Sequence, residues 1–296
     1  MNVALTGSTG FVGKNLISYL HNYKITTLNL RNETNIIFES DIETVIHLAG
    51  KAHDLKKVED TTSYYKINYE LTKKVFDSFI DSNAKIFIFM SSVKAVADNL
   101  NGILTEEYVA TPVTHYGKSK KLAEQYILSK ELPEGKRVFI LRPCMIHGPG
   151  NKGNLNLLYK LVTKGLPWPL GAFQNNRSFC NIENLFFIVS QILENKEIQS
   201  GIYNISDDET LSTNEIIQLI AKSTNKKARI FTVSKKLILI IAKFGDYLYL
   251  PLNNERLNKL TENFVVSNEK IKKALQIKSL PITTKEGMIT TIKHFK

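Results

Sequence analysis

Thr6-Gly7-Ser8-Thr9-Gly10-Phe11-Val12-Gly13 follows the apolar run Val3-Ala4-Leu5 and opens a helix-patterned stretch, Phe11–His21, with Leu16, Ile17 and Leu20 inward. Glycines at those places have separate uses. They allow a tight turn, let backbone approach a phosphate, and let helix pack closely on strand. The helix start adds unpaired N–H groups and the positive end of a dipole, both of which favour an anion. A strand before the glycines and a helix after them distinguish a dinucleotide cradle from an ordinary turn. Gly7, Thr9, Gly10, Phe11, Val12 and Gly13 are therefore assigned to a dinucleotide.

Outward from the octet, short apolar runs alternate with helical patterns. Strands are expected at Val3–Thr6, Ile25–Leu30, Thr44–Ala49, Lys85–Met90 and Arg137–Leu141, and helices near Val58–Ser82 and Thr114–Lys130. Runs that are apolar on both faces, spaced by helices, predict an α/β fold: a Rossmann-type, doubly wound parallel sheet. Between Leu30 and Thr44 there is room only for a vestigial strand, Asn35–Phe38. From Ile146 the texture changes. Gly148, Pro149, Gly150, Gly153, Pro167, Pro169 and Gly171 suggest loops around a ligand rather than more sheet. Ile182–Leu193 then reads as a helix, Gly201–Ile205 as a strand rejoining the sheet, and the rest as helix-rich with one strand near Ala228–Val233. The expected division is a dinucleotide-binding domain of residues 1–147 with 178–206, and a smaller α/β substrate domain of 148–177 with 207–296.

Tyr116-Gly117-Lys118-Ser119-Lys120 sets a phenol and an ammonium four residues apart on one helix face. A free tyrosine, with pKa near ~10, is a poor proton shuttle at neutral pH. A lysine charge about 4 Å away at effective dielectric ~20 is worth roughly 4 kcal/mol, about three pKa units. The pair is thus expected to bring the phenol near ~7, where acid–base catalysis works best. Ser91-Ser92 ends the strand KIFIFM at the carboxyl edge of the sheet, where ligands bind and a hydroxyl can orient the reacting oxygen. At the end of the second strand, an acid would hold the ribose hydroxyls of NAD. Here Asn29 and Arg31 stand there, which favours NADP over NAD.

The 296 residues are 43% hydrophobic and 23% charged, the balance of an ordinary soluble globular protein. Cys144 and Cys180 stand far apart and the six histidines show no HExxH spacing, so no metal is expected. A reducing cytoplasm and the absence of a signal peptide are likewise expected. The formal charge of +11 is spread along the chain with no arginine block or aromatic ladder, which argues against nucleic acid and suits an anionic substrate. Lys235–Leu252 is the most apolar stretch, but Lys243, Gly245 and Asp246 break it, so it does not span a bilayer. Its apolar face is read as core of the smaller domain, with docking on a membrane-bound polysaccharide assembly complex as the alternative.

These residues together resemble the extended short-chain dehydrogenase/reductase family, in particular its nucleotide-sugar epimerases, dehydratases and 4-ketoreductases. TGSTGFVG is similar to the family's TGxxGFxG cofactor loop, and VIHLAG to the strand and loop beneath the cofactor, which implies contacts from Leu48, Ala49 and Gly50. Asn68 in YYKINYELTKKV matches the family's bracing asparagine. FMSSVKAV with YGKSK matches the Ser-Tyr-Lys set, so Ser92, Tyr116 and Lys120 inherit catalytic roles, Lys120 also anchoring the nicotinamide ribose. LRPCMIHGPG matches the segment beside the nicotinamide, which implicates Pro143 and His147. For the substrate, the resemblance implicates Ser92, Lys94, Asn154 in NKGNLNLL, Arg177 in NNRSF as a diphosphate ligand, and Arg256. The Asp-hydrophobic pair that touches adenine in the family corresponds only to Asp41-Ile42, a few residues before the next strand.

The activity implied is NAD(P)-dependent oxidoreduction at C4 of a UDP-sugar. The leading form is reduction of a UDP-2-acetamido-2,6-dideoxy-4-ketohexose to UDP-N-acetylfucosamine or UDP-N-acetylquinovosamine for surface polysaccharide. The same residues suit a UDP-hexose 4-epimerase. In a different class stands a non-catalytic redox-sensing or nucleic-acid-binding protein on the same fold. Related enzymes are commonly homodimers.

Overall fold

The structure is a computed structural model, described here for residues 1–31, 35–51, 60–151, 154–247 and 253–295. In chain order its first half runs β1 (Asn2–Thr6), α1 (Phe11–Tyr19), β2 (Lys24–Leu28), β3 (Thr44–His47), α2 (Thr62–Tyr65), a π-helical turn (Lys66–Glu70), α3 (Leu71–Asp81), β4 (Ile86–Met90), a 3₁₀ turn (Val93–Ala95), β5 (Ile103–Leu104), α4 (His115–Leu128) and β6 (Arg137–Pro143). There follow β7 (Met145–His147), α5 (Asn154–Thr163), β8 (Arg177–Asn181), α6 (Ile182–Glu194), β9 (Gly201–Ile205), β10 (Thr210–Leu211), α7 (Thr213–Ser223), α8 (Lys235–Tyr247), α9 (Asn254–Thr261), β11 (Val265–Val266), α10 (Glu269–Leu275) and α11 (Thr284–Lys293).

Six strands form one parallel sheet in the order β2-β1-β3-β4-β6-β9. Every residue of β3 and β4 is buried, as the two-sided apolar runs require, because helices cover both faces. From β1 the chain moves one way to β2 and the other way to β3. The crevice above the carboxyl ends of β1 and β3 is thus the switch point where ligands bind in such sheets. The doubly wound fold expected from the sequence is present.

Three local expectations change. The stretch after Ile146 contains sheet as well as loops: β7 pairs parallel with β8, and β10 pairs antiparallel with β8. These strands have two to five residues, too few for β7 and β10 to show a period. Residues 35–38 form no strand; Ile36 and Phe38 are simply buried against the sheet. Near Ala228–Val233 only two bridges form, Trp168 with Ile230 and Leu170 with Thr232.

Among the described residues, apolar side chains gather in three clusters, two of them on the faces of the large sheet. The third joins Leu155, Leu158 and Val162 of α5 to Ile216, Ile217 and Ile220 of α7, with Ile238, Met288 and Ile292. The stretch after residue 206 divides itself between clusters, because Phe264, Val266, Ile271, Leu275 and Leu280 pack against the large sheet. Helix α8 buries only Ile238, Ala242 and Gly245. Its other large apolar side chains face outward, so the expected core role holds for one side of the helix only. No helix among the described residues is long and apolar enough to cross a membrane.

Candidate active site

The glycine turn is built as tightly as its sequence suggests. Gly7 has φ +73, and a Cβ on it would lie 2.6 Å from Ala49 N. A Cβ on Gly13 would lie 2.4 Å from the Gly7 carbonyl oxygen, so only glycine lets α1 start against the turn. Gly10 is the N-cap of α1 and offers no side-chain cap, which leaves the first-turn amides of Phe11 and Val12 for an anion. The turn and the uncapped helix therefore suit a pyrophosphate.

Behind the turn runs a directed chain of hydrogen bonds. Ala49 N–H donates to Thr6 Oγ1 (3.1 Å), and Thr6 Oγ1 donates to His47 Nδ1 (2.7 Å). His47 Nε2 donates to Thr72 Oγ1 (3.0 Å), which donates in turn to the Asn68 carbonyl (2.8 Å). The last bond fixes the tautomer, since Thr72 can only accept from the ring. Burial, and then the Lys120 charge, push the His47 pKa down to about 3, so the ring is neutral. Asn68 lies in the π-helical turn and is fully buried. Its amide donates to the Lys51 carbonyl (3.0 Å) and Ser119 Oγ (3.0 Å), and its carbonyl oxygen accepts from Lys51 N–H (2.7 Å). Gly50 leaves room beside it, for a Cβ there would come within 3.2 Å of Lys120 Nζ.

Two features bring Tyr116 to Ser92. The Asp98 carboxylate accepts from Val113 N–H (2.8 Å), Thr114 N–H (3.0 Å) and Thr114 Oγ1 (3.0 Å), pinning the start of α4. Gly117 then lets α4 press on the 3₁₀ turn; a Cβ there would meet the Lys94 carbonyl oxygen at 2.3 Å. The Ser92 hydroxyl stands beside the Tyr116 phenol, and the Tyr64 ring stands edge-on at 6.3 Å. Burial raises the phenol pKa above the usual tyrosine value, with the Ser92 hydroxyl opposing it.

The expected Tyr116–Lys120 couple is not formed here. Lys120 Nζ donates to the Met90 carbonyl (2.8 Å) and sits 4.7 Å over the Phe89 ring. The two side chains share a helix face, but the ammonium follows the buried route toward β4 and leaves the phenol protonated. Burial brings Lys120 down to about 8, against a raising pull from Glu124. That glutamate accepts from Ser91 Oγ and from Arg142 Nε (2.9 Å), all three side chains being buried. Asp98, Glu124 with Arg142, and the His47 chain were not singled out from sequence. Only Glu124 carried a signal, standing one helical turn beyond Lys120 on the same face.

Ser92 also lines a cavity of about 150 Å³ with Val93, Lys94, Cys144, Met145, Arg177, Ser178 and Phe264. Lys94 Nζ lies 4.4 Å over the Phe264 ring and donates to the Asp98 carbonyl (2.9 Å). Arg177 donates to the Lys259 carbonyl (2.7 Å) and stands 3.6 Å from Glu262. Arg256, in α9, is exposed. Pro143 is buried at the end of β6. Arg31 is exposed just past β2, its N–H donating to Asn29 Oδ1 (3.3 Å). The Asn154 side chain lies outside the described residues. One expectation fails, and one departure from the family pattern is confirmed. His147 is wholly buried between Thr291 Oγ1 (2.9 Å) and Asp207 Oδ2 (3.3 Å), so it cannot touch substrate in this arrangement. Asp41 is bound to Asn2 (2.8 Å) and Lys24 (3.1 Å) at the amino ends of β1 and β2, the end of the sheet opposite the crevice.

The profile of the NAD dependent epimerase/dehydratase family matches residues 3–206. UDP-glucose 4-epimerase from Vibrio cholerae is 34% identical over 254 residues, 76% of each chain. The chain belongs to the NAD dependent epimerase/dehydratase family. It is thus an NAD(P)-dependent enzyme of the extended short-chain dehydrogenase/reductase class, as its motifs suggested. N-acetyl-alpha-D-glucosaminyl-diphospho-ditrans,octacis-undecaprenol 4-epimerase from Escherichia coli O157:H7 is 27% identical, covering 99% of this chain and 95% of its own. UDP-glucuronic acid 4-epimerase from Bacillus cereus, solved with NAD, shares the fold at TM-score 0.75 and 18% identity, covering 99% of this chain and 98% of its own. Members of this fold are solved with either cofactor: RMD from Pseudomonas aeruginosa holds NADPH, at TM-score 0.73 and 21% identity over 98% of this chain and 95% of its own.

Proposed function

We propose that this family member is a 4-ketoreductase of a UDP-2-acetamido-2,6-dideoxy-4-ketohexose, forming UDP-N-acetylfucosamine or UDP-N-acetylquinovosamine. One observation carries the reading. Ser92 stands beside the Tyr116 phenol and lines the same cavity as Arg177. A serine beside a proton donor and a guanidinium suited to a diphosphate thus share one cavity.

The reduced nicotinamide, when bound, supplies the hydride that reaches C4. The chain's own groups do the rest. Tyr116 Oη gives its proton to the C4 oxygen, and Ser92 Oγ holds that oxygen in line. Lys120, freed from the Met90 carbonyl, anchors the nicotinamide ribose. The turn from Gly7 to Gly13 holds the pyrophosphate, and Leu48, Ala49, Gly50, Asn68 and Pro143 bound the crevice. Lys94 and Arg177 bind the substrate, with Arg256 at the rim. Arg31 pairs with the 2′-phosphate of NADP, since Asn29 rather than an acid stands at the end of the second strand.

A 4-epimerase is the second reading, favoured by the printed activities of the Vibrio cholerae and Escherichia coli relatives. The latter's substrate carries its sugar on a diphospho-polyprenol, and Arg177 would serve that diphosphate equally. Stoichiometry separates the readings. With the UDP-4-keto sugar and NADPH, one reduced nicotinamide should disappear per product formed. Conversion of a UDP-hexosamine to its C4 epimer with no net loss of reduced cofactor would replace the reductase with the epimerase.

A further inference from the structure

The outward side of α8 is the largest feature that the C4 chemistry leaves without a use. Leu237, Ile241 and Phe244 fall at helical i, i+4, i+7 spacing, and Ile240 and Tyr247 widen the same stripe. All five are exposed, Phe244 at 62% and Tyr247 at 81%. Isolated exposed apolar residues are common on soluble proteins, but a contiguous stripe of large ones marks an interaction surface. Lys236 and Lys243, seven apart, run along one edge of it. The only acid in α8, Asp246, is engaged by Asn254 N–H (3.2 Å) and Nδ2 (2.5 Å). An apolar stripe edged by lysines is the pattern of a helix lying flat in a membrane interface, its apolar side chains among acyl chains and its ammonium groups among phosphates.

We propose that α8 docks this protein on an anionic phospholipid bilayer. Charge selects that occupant over a second copy of the chain. A self-contact through α8 would set two lysine edges together on molecules of formal charge +11 each, whereas an anionic leaflet neutralises both. The placement also fits the chemistry. Helix α8 packs on α9, whose Lys259 carbonyl holds Arg177 at the cavity, so the docked face lies one helix away from the substrate's diphosphate end. The inference does not depend on which C4 reaction the site performs.

The test is co-sedimentation of the full chain with vesicles of phosphatidylcholine mixed with phosphatidylglycerol, against vesicles of phosphatidylcholine alone. The wild type should pellet with the anionic vesicles, and less so as salt rises. The double variant Ile240→Ser/Phe244→Ser should lose about tenfold or more in partitioning, and Lys236→Glu/Lys243→Glu should lose the preference for anionic lipid. NADPH binding should be unchanged in both, which establishes that they fold. A wild type that stays in the supernatant with both vesicles overturns the proposal. So does partitioning that survives the Ser pair, or a dimer that the Ser pair dissociates while vesicles capture nothing.

Discussion

Lys120 Nζ rests against the Met90 carbonyl and the Phe89 ring, so β4 rather than the phenol stabilises its charge. This has a measurable consequence in stability. The folded pKa of Lys120 is about 8 and the unfolded one 10.5, so between those values the unfolded chain binds more protons. Stability from this group therefore rises as pH climbs from 8 toward 10.5, and the burden of a buried ammonium is complete below 8. Urea unfolding of the wild type and Lys120→Met should diverge accordingly, the wild type gaining about 2 kcal/mol relative to the variant between pH 7 and 10. Parallel curves would mean that the ammonium is not buried in solution. Tyr116→Phe should lower kcat about 10²- to 10⁴-fold while leaving the urea midpoint nearly unchanged, since the ring and its contact with Tyr64 are kept. Steady-state rates within tenfold of wild type would remove Tyr116 from proton transfer. Sequence spacing located the phenol, the lysine and the serine. It could not tell that the lysine would take the route to Met90, because that choice depends on what β4 offers across the helix.

Elements were legible where apolar runs were long. Strands β1, β3, β4 and β6 lie within a residue or two of their expected places, because burial on both faces leaves little choice of residue type. The short strands β7 and β10 were not, since hydrogen bonds to β8 rather than periodicity create them. At this scale Gly13 matters more than Gly10. A methyl on Gly13 would strike the Gly7 carbonyl oxygen at 2.4 Å and Ser8 Cα at 2.8 Å, both backbone; a methyl on Gly10 meets only Gly7 oxygen, at 3.3 Å. Gly13→Ala should therefore push α1 off the turn, destabilise the chain by about 1–3 kcal/mol and weaken NADPH binding at least tenfold. Gly10→Ala should affect unfolding much less. Calorimetric titration with NADPH, paired with urea melts, checks both; equal effects of the two variants would show that the turn relaxes freely. The hydrogen-bond chain through His47 links β1, β3 and α3 and was invisible in VIHLAG, where the histidine read only as part of a strand.

Across the whole molecule, Arg177 joins β8 to α9 through the Lys259 carbonyl and lines the cavity beside Ser92. Arg177→Gln should raise KM for the nucleotide sugar tenfold or more, about 1.5–3 kcal/mol for a lost charged hydrogen bond, with kcat much less affected. A KM unchanged in steady-state assays would move the diphosphate elsewhere. The division of apolar side chains after residue 206 was not legible, since nothing local in residues 264–280 says which cluster will bury them. That division has a mechanical outcome. The chain leaves the large sheet after β6, comes back with α6 and β9, departs again through α7 to α9, returns at residues 264–280 and exits finally into α11. A sheet and an apolar cluster sewn together by so many seams cannot swing like a door on one pin. Any tightening over a guest must come as a slight slide of one against the other, bending every seam at once. Neither the sheet nor the cluster is built from one continuous stretch of sequence, and a protease that snips one seam would still leave the two clasped.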